Sequence, residues 1–154
     1  MIQKGSIYWV NFTGNHDSGE KELRPCLVIQ NDVLNESRLN TTVVVAITSV
    51  PEFGKLPGNV IIKEGEAGMP WQGVVNVSQV MSLEKSKIEE AIGSLPGELM
   101  KKVCDGLKMI MELEWGPVHQ NSSDVDLDFL VEGKKYVSDP VIAVSPAYIN
   151  LRQQ

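Results

Sequence analysis

Thr41-Thr42-Val43-Val44-Val45-Ala46-Ile47 leaves a folding chain few choices. Its β-branched and small apolar side chains occupy odd and even positions alike, so a strand made from it buries both faces. Such a strand lies inside a sheet, and the rest of the chain must supply its neighbours. Ile7-Tyr8-Trp9-Val10-Asn11-Phe12 and Cys26-Leu27-Val28-Ile29 read as two of them, on either side of a long polar loop over 13–23. Asn59–Lys63, Val74–Val77 running on to Met81, and Lys87–Ser94 read as three more. Helical periodicity appears only afterwards. Leu99, Val103, Leu107, Ile110 and Met111 share one face of a helix expected over about 96–114, opened by Pro96 and Glu98 and stopped by Gly116-Pro117. That stripe is expected to face the core. Short strands followed by one helix predict a mainly β fold, a small antiparallel β-barrel with a packed α-helix.

At 154 residues and 42% hydrophobic, the chain holds one core and not two. The barrel and helix are expected over 1–116. Residues 117–154 form a C-terminal extension of different character: a linker-like His119-Gln120-Asn121-Ser122-Ser123, then Asp124, Asp126 and Asp128 alternating with Val125, Leu127 and Phe129. Extended, that stretch shows one acidic and one apolar edge. It can fold back over the barrel, pack as decoration or stay free. No apolar run reaches the ~18 residues that span a bilayer, and the first residues lack a signal peptide's apolar stretch, so no membrane partner and a cytoplasmic setting are expected. Cys26 and Cys104 are then expected to be buried free thiols. His16 and His119 are too few for a metal centre, and no cofactor motif occurs. The net charge of −6 argues against indiscriminate nucleic-acid binding and leaves room for a local cationic site.

Arg24 is the candidate for such a site. It stands with Pro25 at the mouth of an apolar strand, while Thr48 and Ser49 end the strongest one. A guanidinium binds phosphate through two parallel hydrogen bonds, and a hydroxyl adds a donor. An ordinary solvated arginine is the other reading.

Several blocks in order decide between them: Gly5-Ser6-Ile7-Tyr8-Trp9-Val10-Asn11-Phe12, Leu23-Arg24-Pro25-Cys26-Leu27-Val28-Ile29-Gln30-Asn31-Asp32, Val45-Ala46-Ile47-Thr48-Ser49, Val77-Ser78-Gln79-Val80, and Ile92-Gly93-Ser94-Leu95 before a helix. In sequence and spacing they resemble the MazF/PemK toxins over residues 1 to about 114. The resemblance implies SH3-like barrels that form a homodimer, and a metal-independent endoribonuclease that cuts single-stranded messenger RNA at a short sequence. It also implies 2′-hydroxyl attack, leaving a 2′,3′-cyclic phosphate and a 5′-hydroxyl, and a cognate antitoxin as partner. Matched position by position, the catalytic arginine falls on Arg24, the catalytic hydroxyl on Thr48, the loop serine on Ser18 and the RNA-side glutamine on Gln79. Lys21, His16 and Ser49 join them as candidate substrate-binding residues. His16 is also a candidate proton carrier, with Glu20 and Glu22 as alternatives. Trp9 is expected in the core, and Trp71 either stacks a base or packs. The chain departs from the family at Ser6 and Asn11, where the family has Asp, and at Lys21-Glu22-Leu23, where the first loop is usually glycine-rich. A barrel that has lost catalysis and serves as a binding module is the alternative function.

Overall fold

The β-branched runs form six strands: β1 (Ser6–Asn11), β2 (Leu23–Val28), β3 (Thr41–Thr48), β4 (Val60–Ile62), β5 (Gly73–Glu84) and β6 (Ile88–Ser94). One short helix, α1 (Asp32–Asn35), and one long one, α2 (Gly97–Met111), accompany them. The structure, a computed structural model, describes residues 1–14 and 21–113. The expected extension over 117–154 therefore lies outside the described residues, as do His16, Ser18 and Glu20. Among the described residues, no helix is long and apolar enough to cross a membrane.

The strands make one antiparallel sheet in the order β4-β5-β3-β2-β1-β6. As TTVVVAI requires, β3 sits inside it, with Val44, Val45 and Ala46 fully buried. One face carries Ile7, Leu27, Val45, Ile47, Val75 and Val77 and packs against Val103 of α2. The other carries Tyr8, Val10, Cys26, Val28, Val44 and Ala46.

Two features curl this sheet into a barrel. Along β3 and β5 the register changes from Val45↔Val80 to Ile47↔Val75, so β5 carries extra residues around Asn76–Gln79. Such a bulge bends a strand and raises its twist. The second feature is the turn Glu66–Gly68 after β4, which closes against β6. Gly68 sits at φ +77, and a Cβ there would run into the Ile92 carbonyl oxygen; one on Gly93 would run into that of Ala67. Backbone meets backbone at this corner, which only glycine allows.

The structure corrects several sequence-based expectations. Strand β5 reaches Glu84, beyond the expected end at Met81. Helix α2 stops at Met111, before the Gly116-Pro117 signal, because Glu112 turns left-handed at φ 40 and donates its N–H to the Lys108 carbonyl. Leu99, Val103 and Leu107 pack on the core as expected, but Ile110 and Met111 are exposed. The last turn of α2 overhangs the cluster that its earlier turns cover. Both cysteines are free, yet only Cys26 is buried; Cys104 is half-buried.

Candidate active site

Strand pairing decides what stands beside Arg24. In the β2–β3 ladder Cys26 faces Ala46, Leu27 faces Val45 and Val28 faces Val44. Continuing that register by one two-residue step brings Arg24 opposite Thr48, on one face because side chains alternate with period two. The paired register ends at Cys26, next to Pro25, which has no N–H to donate to a ladder. Beyond that pair lies a cleft of about 230 Å³ lined by Trp9, Leu23, Arg24, Pro25, Ile47, Thr48, Ser49 and Trp71. Among these lining residues Arg24 alone carries a charge, and the Glu22 carboxylate beside the cleft is paired with it.

Thr48 is held by main chain and Arg24 by a neighbouring carboxylate. Thr48 is buried, and its Oγ1 accepts the Val50 N–H at 3.2 Å, which leaves the hydroxyl proton available to donate. Glu22 precedes β2 directly. Its carbonyl accepts from Phe12 N–H and its own N–H donates to Thr13 Oγ1, both at 2.8 Å. Its carboxylate Oε1 accepts from Arg24 Nε at 3.1 Å and from Nη2 at 2.9 Å. Cys26, two positions from Arg24 on the same face, is fully buried, and burial pushes its thiol up to about 12 although the Arg24 charge opposes this. It remains a protonated packing residue, not a nucleophile.

A family model for the PemK-like, MazF-like toxins of type II toxin–antitoxin systems matches residues 3–111. The chain belongs to the PemK/MazF toxin family. Endoribonuclease MazF2 of Mycobacterium bovis is 34% identical over 113 residues, which cover 73% of this chain and 99% of that protein. Endoribonuclease EndoA of Bacillus subtilis is 30% identical over 113 residues, covering 73% and 97%. A MazE–MazF complex from Deinococcus radiodurans shares the fold, with a TM-score of 0.61 at 21% identity over 73% of this chain and 97% of that one. An endoribonuclease in complex with its cognate antitoxin, from a mycobacterial species, does so at 0.59 and 22% identity, over 75% and 100%. Membership places the chain among MazF-type endoribonuclease toxins.

In this PemK/MazF-family chain the other candidate residues are spread more widely than Arg24 and Thr48. Ser49 is exposed and lines the cleft. Gln79 lies in the bulged part of β5, half-buried and outside the cleft lining. Lys21 is turned to β6, where its Nζ meets Glu89 Oε1 at 3.2 Å. His16 and Ser18 are outside the described residues. Trp9, expected in the core, is half-buried and forms a wall of the cleft; Trp71 packs on the core and forms another wall. Among the described residues no group of three or more His, Cys, Asp or Glu is placed to hold a metal ion. The tie between Glu22 and Arg24 is only weakly legible in the sequence. Its one sequence signal is the i, i+2 spacing, which puts both side chains on one face of an extended chain.

Proposed function

We propose that this chain is a metal-independent endoribonuclease that cuts single-stranded messenger RNA at a short sequence by 2′-hydroxyl attack. The observation that carries the reading is the juxtaposition of Arg24 and Thr48 across β2 and β3 at the mouth of one cleft. In the reaction the 2′-hydroxyl gives its proton to a base and its oxygen bonds to phosphorus. The P–O5′ bond breaks, and the leaving oxygen takes up a proton. The products are a 2′,3′-cyclic phosphate and a 5′-hydroxyl. Negative charge builds on the non-bridging oxygens as the phosphorane forms. Arg24 meets that charge through its N–H groups, and the Thr48 hydroxyl donates to a non-bridging oxygen. Trp9 and Trp71 offer flat surfaces to the flanking nucleotide, and base–aromatic stacking tolerates any base.

The test is incubation of the purified protein with a long single-stranded RNA in EDTA. Discrete cuts, with 5′-hydroxyl and cyclic-phosphate ends, are expected. A requirement for Mg²⁺, or products with 3′-hydroxyl ends, would overturn the mechanism.

The active form is a homodimer, restrained by a cognate antitoxin protein as partner. An isologous two-fold interface is the commonest in homo-oligomers, and two of the solved structures that share this fold hold a toxin with its antitoxin. Light scattering at micromolar concentration is expected to give twice the chain mass. A monomeric mass would contradict the dimer.

A further inference from the structure

We propose that Glu22 is the positioning residue that aims the Arg24 guanidinium at the phosphate, an inference that rests on the ribonuclease reading above. A guanidinium has five N–H groups in a rigid fork. Glu22 Oε1 takes one from Nε and one from Nη2, along one side of the fork. The two hydrogens of Nη1 and the outer one of Nη2 are left. Those on the Nη1–Nη2 end form a second bidentate edge, the one that matches two phosphate oxygens. Glu22 and a phosphate can therefore hold Arg24 at the same time, on different edges.

The carboxylate has two opposed effects. It orients the guanidinium before substrate arrives, which favours the reaction. It also offsets the positive charge that the phosphorane needs, which opposes it. Exposure decides between them. The Arg24 and Glu22 side chains are 28% and 39% exposed, so water screens the charge between them and the electrostatic cost is small. Misplacement of a reacting group by about 1 Å, by contrast, costs up to ~10²-fold in rate. Orientation is the larger effect. Glu22 is itself well anchored: its N–H and carbonyl hold Thr13 and Phe12 through the main chain, and Asn11 Oδ1 in turn accepts the Thr13 N–H at 2.9 Å. Those bonds involve no Glu22 side-chain atom, so truncating the side chain leaves the strap in place.

Two substitutions separate positioning from the other roles a carboxylate can play here. Glu22→Ala is expected to lower kcat by about 10–100-fold with KM changed by less than about threefold, the pattern of an interaction needed in the transition state. Glu22→Gln keeps an amide oxygen that accepts the same two hydrogen bonds. It is expected to restore kcat to within about fivefold of wild type, with an unshifted pH profile. A Glu22→Gln enzyme as slow as Glu22→Ala would make Glu22 the proton acceptor and overturn the positioning role. A faster Glu22→Ala enzyme would make it a restraint, and equal rates would make it a bystander; both also overturn the proposal. A readout independent of cleavage keeps this separate from the functional reading. The Arg24 Nε–H resonance should be sharp and protected from exchange in wild type and Glu22→Gln, and lost in Glu22→Ala. If that pattern appears in a protein that cuts no RNA, the ribonuclease reading fails while the orienting contact stands. If the resonance is unchanged in Glu22→Ala, the positioning proposal fails whatever the activity.

Discussion

Arg24→Ala is expected to lower the RNA-cleavage rate by about 10²–10³-fold, the usual cost of removing one donor aimed at developing charge. The fold should survive. The Arg24 side chain is tied to Glu22 in a part-exposed ion pair, and such pairs contribute about 0–1 kcal/mol to stability. The strand is held by Cys26, Leu27 and Val28, all fully buried. Once freed, the Glu22 carboxylate is exposed enough to be hydrated. Arg24→Lys should fail almost as badly: an ammonium is a point charge without a second edge, so it cannot hold Glu22 and a phosphate in fixed geometry. Single-turnover cleavage of a labelled RNA, with a thermal melt as control, measures both. A wild-type rate in Arg24→Ala would remove this residue from the mechanism.

The second large effect lies in the substrate. Replacing the single 2′-hydroxyl next to the cleaved phosphate by hydrogen is expected to abolish cutting at that bond, and an all-DNA strand should resist throughout. The nucleophile is then missing, whereas the phosphate, the bases and their contacts remain. The substituted oligonucleotide should therefore still bind and compete with RNA, with an inhibition constant near the KM of the intact strand. Gel mapping of one uniquely substituted RNA reads the first effect and a competition assay the second. Cleavage of the substituted bond would show that water is the nucleophile, and the cyclic-phosphate route would be wrong.

Much of the barrel could be read from side-chain chemistry. The strands announce themselves through Val, Ile and Thr, and the first turns of α2 through Leu99, Val103 and Leu107. Errors gathered where a local pattern gives way to geometry. Ser82 and Glu84 look like the end of a strand at Met81, yet β5 continues through them. Glu112 caps α2 in a left-handed conformation that glycine usually signals. Ile110 and Met111 continue the helical stripe past the surface it covers. The candidate site follows the same division. Arg24 and Thr48 are far apart in the chain, and no local pattern says that they line one cleft; that follows from how β2 and β3 pair, which belongs to the assembled sheet. Family resemblance named the two residues, but it was silent on Glu22 as the tie to Arg24 and on Trp9 as a wall of the cleft.

The corner where Gly68 meets Gly93 has a consequence for how the molecule breathes. Around the barrel, neighbouring strands are joined by ladders, but β4 and β6 are the two ends of the sheet order and are not paired with each other. What joins them is a turn lying against a strand, backbone on backbone. A native-state fluctuation that parts this seam breaks no strand ladder, so it lies low in the spectrum of openings, well below global unfolding. Edge amides of β4 and β6 should then exchange with solvent through a sub-global opening, while those of β3 wait for the whole sheet to come apart. The barrel is thus expected to behave as a hinged wrap with its latch at two glycines, and a bulkier residue at either would hold the latch ajar.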